Sequence, residues 1–302
     1  MTKFQHIVRA DEAGEEVREI MRKNFDFSSR LRNRIKKNKL VNLNGVQAEG
    51  WHRVSEGDEL TIELPEERSN FEPQAIPLSP VYEDDDLLIL NKQPGLIVHP
   101  TKGHPMNTVA NALMYYMEQR GESWKIRFVN RLDMDTSGLL VVAKNAYCQN
   151  EYTEQSKKNL VRKTYTAIVR GYPDSEEGTI DLPIGRPDPV MVHRAVMEGG
   201  APSVTHYKVL ERFEKYPYSL VELVLETGRT HQIRVHMSHI GHPVLGDHLY
   251  GGENPLFIDR QALHATRLSF THPIKKEPLN LEAPLPDDIL KAIDYLRNGF
   301  AL

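Results

Sequence analysis

The hydrophobic pattern of this chain is one of short apolar runs separated by turn residues. The central run, Leu139–Ala143 within FVNRLDMDTSGLLVVAK, is long enough for one buried strand and too short for most helices. Val81 to Pro100 predicts a strand, a turn at Gln93-Pro94-Gly95 and a second strand. Further strands are expected at Arg162–Arg170, at Tyr218–Leu225 and near Arg267–Thr271. In RKTYTAIVR the two-residue period puts Tyr165, Ala167 and Val169 on one face and Thr164, Thr166 and Ile168 on the other.

Helical spacing marks the segments between. One helix is expected near Glu15–Lys23, and a second begins after a cap at Ser28 or Ser29, with Leu31 and Ile35 on its apolar face. Others run from Thr108 to Arg120 with a stop at Gly121, from about Ala146 to Lys158, from Thr230 to His239 with a stop at Gly241, and from Asp287 to Arg297. Leu40–Val46 reads as a strand entering a hairpin turn at Asn44-Gly45, and Asp58–Leu64 as the next strand. Residues 171–205 are rich in Gly and Pro and carry Arg186, His193 and Arg194, which predicts a long hairpin or a mobile loop. PEERSNFEPQAIPLSP, residues 65–80, holds four prolines and no periodicity, so it is read as a linker. The chain therefore divides into residues 1–64, a linker at 65–80, and residues 81–302, the last an α+β domain on a mixed or antiparallel sheet.

Composition narrows the class. With 302 residues, 39% hydrophobic and 26% charged, the chain reads as a soluble globular protein, and no apolar run approaches a membrane span. The N-terminal MTKFQHIVRADEAGEE lacks the apolar core of a signal peptide, and the single Cys148 excludes an internal disulfide or a thiolate cluster. A cytoplasmic monomer is the expectation. A net charge of −4 argues against a nucleic-acid partner, but affinity for phosphate follows the local field. Locally, Arg30, Arg32, Arg34, Lys36, Lys37 and Lys39 crowd one short segment with no acid among them.

Candidate chemistry gathers just before the central strand, where Asn130, Arg131, Asp133, Asp135, Thr136 and Ser137 cluster and Gly138 lets the chain turn. Such residues are also ordinary turn formers. LDMDTSG has some likeness to the DxDxT of haloacid-dehalogenase-type phosphatases, and DTSG to the DTG of aspartic proteases. The first should follow an apolar strand, and the second needs a partner loop that this chain lacks. His231, His236, His239 and His242 suggest a metal, yet their spacing gives no good three-histidine face on a helix, so no metal is expected. On the same helix His231, Arg234 and Ser238 form a stripe apart from the apolar Ile233, Met237 and Ile240.

Three ordered segments resemble one family. NRLDMDTSGLLVVAK, RKTYTAIVRG and LETGRTHQIRVHMSHIGHPVLGDHLYGG are similar to the motifs of RluA-type pseudouridine synthases, and YEDDDLLILNKQPGLIVHP resembles that family's opening strands. The basic helix pair followed by VNLNG and VSEGDELTI resembles the S-four RNA-binding module. The resemblance implies an RNA uridine isomerase acting on structured ribosomal or transfer RNA. Asp133 would be the catalytic carboxylate, either trapping positive charge at C1′ or removing the C2′ proton. Arg234 should pair with Asp133 in a bidentate fork that favours the ionised carboxylate. Tyr165 should lie against the uracil, and Arg131 should enter the stack vacated by the flipped base. The isomerisation has no redox step, so no cofactor is implied. Asn130 departs from the family's usual histidine at this position; it cannot titrate, and a structural role is expected of it.

Overall fold

The computed structural model describes residues 2–101, 103–188, 190 and 192–299. At the N-terminus, β1 (Lys3–Ile7), α1 (Val17–Asn24), α2 (Ser29–Lys37), β2 (Val41–Leu43), β3 (Val46–Gln47) and β4 (Glu59–Glu63) build a four-stranded sheet of order β1-β4-β2-β3. Val17, Ile20 and Met21 of α1 and Leu31 and Ile35 of α2 are buried, which seats both helices. Ser28 caps α2, its hydroxyl accepting from the Leu31 N–H at 3.3 Å. Asn44 (φ 50°) and Gly45 (φ 80°) are both left-handed, as the tight turn between β2 and β3 requires, so the expected strand ends at Leu43. β1 escaped the sequence reading because KFQHI buries no residue fully; it is an edge strand held by its register on β4.

The larger sheet has ten strands. The chain from Pro80 onward forms β5 (Pro80–Glu83), β6 (Leu87–Lys92), α3 (Val109–Gln119), β7 (Arg127–Phe128), β8 (Ser137–Ala143), α4 (Ala146–Lys157), β9 (Arg162–Arg170), β10 (Glu177–Asp181), β11 (Ile184–Gly185), β12 (Ala195–Val196), β13 (Val204–Arg212), β14 (Tyr218–Leu225), α5 (Gln232–His239), β15 (Leu263–Thr271), β16 (Pro278–Glu282) and α6 (Asp287–Asn298). The order is β10-β13-β14-β9-β15-β8-β6-β5, with β16 on β15 and β7 on β8; β11 and β12 pair separately. Only β8 and β15 run parallel among these pairs, so the sheet is mixed. Gly138 (φ 107°) sits at that junction, where an added Cβ would lie 2.3 Å from the Ala265 carbonyl oxygen; glycine alone fits.

Two expectations change. The first hairpin turns at Asp84–Asp86 rather than at Gln93–Gly95, because Asp84 accepts from the N–H groups of Asp86 and Leu87, both at 2.9 Å. Between Gly95 and the next helix the described residues make only isolated bridges, Ile97 to Thr108 and Thr101 to His104. The segment expected as a long hairpin or mobile loop contains β10, the β11–β12 ribbon and the start of β13.

The core runs from one sheet into the other. Phe4 and Phe27 meet Tyr147 of α4 edge-on at 4.9 and 5.6 Å, and the Thr2 hydroxyl donates to Asp86 at 2.7 Å. Residues 65–79 form no helix or strand, yet they are tied down. Glu67 pairs with Arg34 (2.7 Å), Lys125 (3.2 Å) and Arg127, and Asn111 Nδ2 donates to the Glu72 carbonyl at 2.8 Å. No helix is long and apolar enough to cross a membrane among the described residues.

Candidate active site

The loop between β7 and β8 carries the polar cluster, and its backbone is held from several sides. Lys92, almost fully buried, donates to the carbonyls of Gln93, Leu96 and Met134 at 2.8, 2.9 and 2.7 Å. Burial draws its pKa down to about 7, while three carbonyl acceptors on one nitrogen are the geometry of an ammonium. Arg260 forks onto Asp288 and also donates to the Asp135 carbonyl at 2.9 Å, and Gln261 donates to the Thr136 hydroxyl. Asn130 braces the strand: its side chain donates to the Leu139 carbonyl (3.0 Å) and accepts from the Val141 N–H (2.8 Å). This residue works as a strand partner, which agrees with the structural role expected for it.

Within this frame Asp133 is partly buried, its side chain 17% exposed, and Arg234 Nη1 donates to its Oδ2 at 3.1 Å. The expected bidentate fork goes elsewhere. Arg234 Nε and Nη2 grip Asp247 at 2.7 and 2.9 Å, and Asp247 is fully buried and also accepts from the N–H groups of Leu249 and Tyr250. The guanidinium cannot fork onto two carboxylates with the same edge, so Asp133 receives a single bond. Both carboxylates raise the Arg234 pKa against burial, which opposes the charge, so it is a permanent cation.

Tyr250 completes the setting. Its ring lies 5.1 Å under the Arg234 guanidinium, its hydroxyl meets His231 Nδ1 at 2.9 Å, and its carbonyl accepts from Ser238 at 2.9 Å. The predicted stripe of His231, Arg234 and Ser238 is therefore one face docked on Tyr250. His231 Nε2 stands 3.9 Å from Asp133 Oδ2, and burial lowers its pKa toward the neutral ring. Asp247 and Tyr250 were missed in the sequence reading, although both lie inside the quoted third motif; nothing in their spacing says that they turn back onto Arg234.

Asp133, Tyr165, Arg234 and Arg131 line one small cavity with Leu225 and Ile233. Tyr165 is buried on β9, and burial, with the Asp133 charge adding to it, pushes its pKa up. Arg131 is exposed at the rim and also borders two larger cavities of about 630 and 820 Å³. The larger reaches α2, where Arg30 and Arg34 line it. The six basic residues are not equivalent. Arg34 is paired with Glu67, and Arg32 donates to the Phe27 carbonyl at 2.6 Å, while Arg30, Lys36, Lys37 and Lys39 stand exposed. The histidines do not converge: His236 is buried between Thr205 and the Leu182 carbonyl, and His242 contacts the Arg170 carbonyl. No group of three or more His, Cys, Asp or Glu is placed to hold a metal ion among the described residues.

An arginine-held carboxylate, Asp133, and the buried Tyr165 thus share one cavity on a mixed sheet. Residues 86–239 match the RNA pseudouridylate synthase family, and the chain belongs to it. Among its relatives, the ribosomal large subunit pseudouridine synthase D of Haemophilus ducreyi is 42% identical over 91% of this chain and 89% of its own length. That of Escherichia coli strain K12 is 41% identical over the same shares. In structure the chain is similar to human RNA pseudouridylate synthase domain containing 1, with 32% identity, a TM-score of 0.58, and coverage of 71% of this chain and 86% of that one. The protein is thus an RNA pseudouridine synthase.

Proposed function

We propose that the protein isomerises uridine in the RNA of the large ribosomal subunit, the substrate its relatives are named for. The observation that carries the site assignment is the Asp133–Arg234 contact at the mouth of a cavity that Tyr165 also lines. Breaking the N1–C1′ bond builds positive charge on the sugar, and an ionised carboxylate can either trap C1′ or remove the C2′ proton. In both routes Asp133 acts through an oxygen that its single bond to Arg234 leaves available. Tyr165 supplies a face for the uracil, a stacking contribution of about 1–3 kcal/mol, and its hydroxyl is available when the C5 proton leaves.

Base extrusion precedes this chemistry and costs a few kcal/mol. Arg131, exposed at the rim of all three cavities, is the residue we assign to the vacated stack, since its planar guanidinium can lie between bases. We assign residues 1–64 to RNA binding through Arg30, Lys36, Lys37 and Lys39, the members of the basic run not engaged internally. The groove that joins α2 to Arg131 supports that path. The reading carries with it a cytoplasmic monomer that needs neither cofactor nor metal. Mapping pseudouridine in total RNA from cells with and without the gene tests it. Loss of signal at discrete large-subunit uridines is expected; an unchanged large-subunit map would refute the substrate.

A further inference from the structure

Beside the catalytic cavity lies a second one of about 630 Å³ that shares Arg131 and Tyr165 with it. Lys163 lines it, two residues before Tyr165 on the same face of β9, at a separation of roughly 7 Å along the strand. This half-buried ammonium has no ion pair or hydrogen bond among the described residues. The nearby acid Glu226 is occupied by His206 at 2.8 Å. Burial alone lowers the Lys163 pKa, and no carboxylate lifts it back. Gly228 lies beside it, where a Cβ would come to 3.9 Å from Nζ, an ordinary contact.

An unpaired, half-buried cation lining a cavity calls for an anionic ligand rich in acceptor oxygens.

We propose that Lys163 forms a phosphate subsite for the phosphodiester adjoining the isomerised uridine. This rests on the RNA-substrate reading above. The subsite holds the nucleotide by its backbone while Tyr165, one pleat further along β9, meets the base. Its sequence-independent grip suits a base that has left its pairing partners.

The test uses the full chain and a short large-subunit RNA hairpin carrying a mapped uridine, with each flanking phosphate replaced in turn by a neutral methylphosphonate. For the wild type, one replacement should lower kcat/KM about tenfold to a hundredfold, the scale of one charged hydrogen bond. Lys163→Met should show the same loss on unmodified RNA and no further loss with that methylphosphonate, while Lys163→Arg restores most of the activity. Its salt slope, log K against log salt, should flatten by about 0.7–0.9, one phosphate's share. Independent, multiplying losses from Lys163→Met and from the methylphosphonates at both positions would overturn the proposal, as would an unaltered salt slope. Because the wild-type arm alters only the RNA, a misfolded variant cannot mask the answer. A wild type inactive on every large-subunit fragment would overturn the parent reading instead.

Discussion

A guanidinium offers five N–H donors, and Arg234 spends its fork on Asp247 and a single donor on Asp133. The fully buried Asp247 therefore fixes the arginine, and the arginine fixes the more exposed Asp133 without covering it. Removing one partner of a buried pair leaves an uncompensated charge. Asp247→Ala should destabilise the protein by about 3–5 kcal/mol and lower kcat although Asp247 lines no part of the catalytic cavity. Urea unfolding with the slope held constant measures the first; an unchanged midpoint would remove Asp247 from the account. That Asp133, Tyr165 and Arg234 come together was legible in the sequence because each sits in a short motif that resembles one of the family's. Which carboxylate takes the fork was not, because Asp247 reaches Arg234 across a turn that no periodicity encodes.

The elements tell a similar story at the next scale up. Strands with a continuous apolar run or clean alternation, such as β8, β9 and β14, were readable to within a residue or two. Edge strands such as β1 and β10, each with at most one fully buried residue, were not. Residues 65–80 looked like a linker because four prolines and no period predict one, yet Glu67 meets Arg127 from sixty positions away, a contact that composition cannot reveal. Near the N-terminus, Glu12 is 3% exposed and locks the short turn before α1. Burial opposes its charge, but bonds from the Arg9 N–H, Asn24 and His6 outweigh it and bring the pKa from 4.5 to about 2. A carboxylate lowered on folding adds stability that is complete above pH 4.5 and is lost as pH falls toward 2. Glu12→Gln should accordingly lower the melting temperature at pH 7 by several degrees, with the difference shrinking between pH 4.5 and 2. Thermal melts across that window check it; a constant difference would contradict the linkage.

At the scale of the whole molecule, a core shared by the two sheets and a groove between α2 and Arg131 make residues 1–64 part of one surface with the catalytic domain. Truncating them would expose Tyr147, so the basic helix is better tested in the full chain. With Arg34 and Arg32 engaged internally, four cations remain for phosphates. Replacing Arg30, Lys36, Lys37 and Lys39 with Gln should weaken RNA binding and flatten the salt slope by up to about 3–4. Turnover at saturating RNA should be kept, and equal affinity and slope would end the case for an RNA anchor. The central claim is that Asp133 performs the isomerisation, and Asp133→Asn tests it most directly, because Asn keeps the volume and an acceptor for Arg234. Pseudouridine formation and RNA affinity would be measured on the same purified protein. The account predicts native folding, binding within about threefold of wild type, and a loss of turnover on the order of 10⁴-fold or more. Near-normal turnover by Asp133→Asn would contradict it.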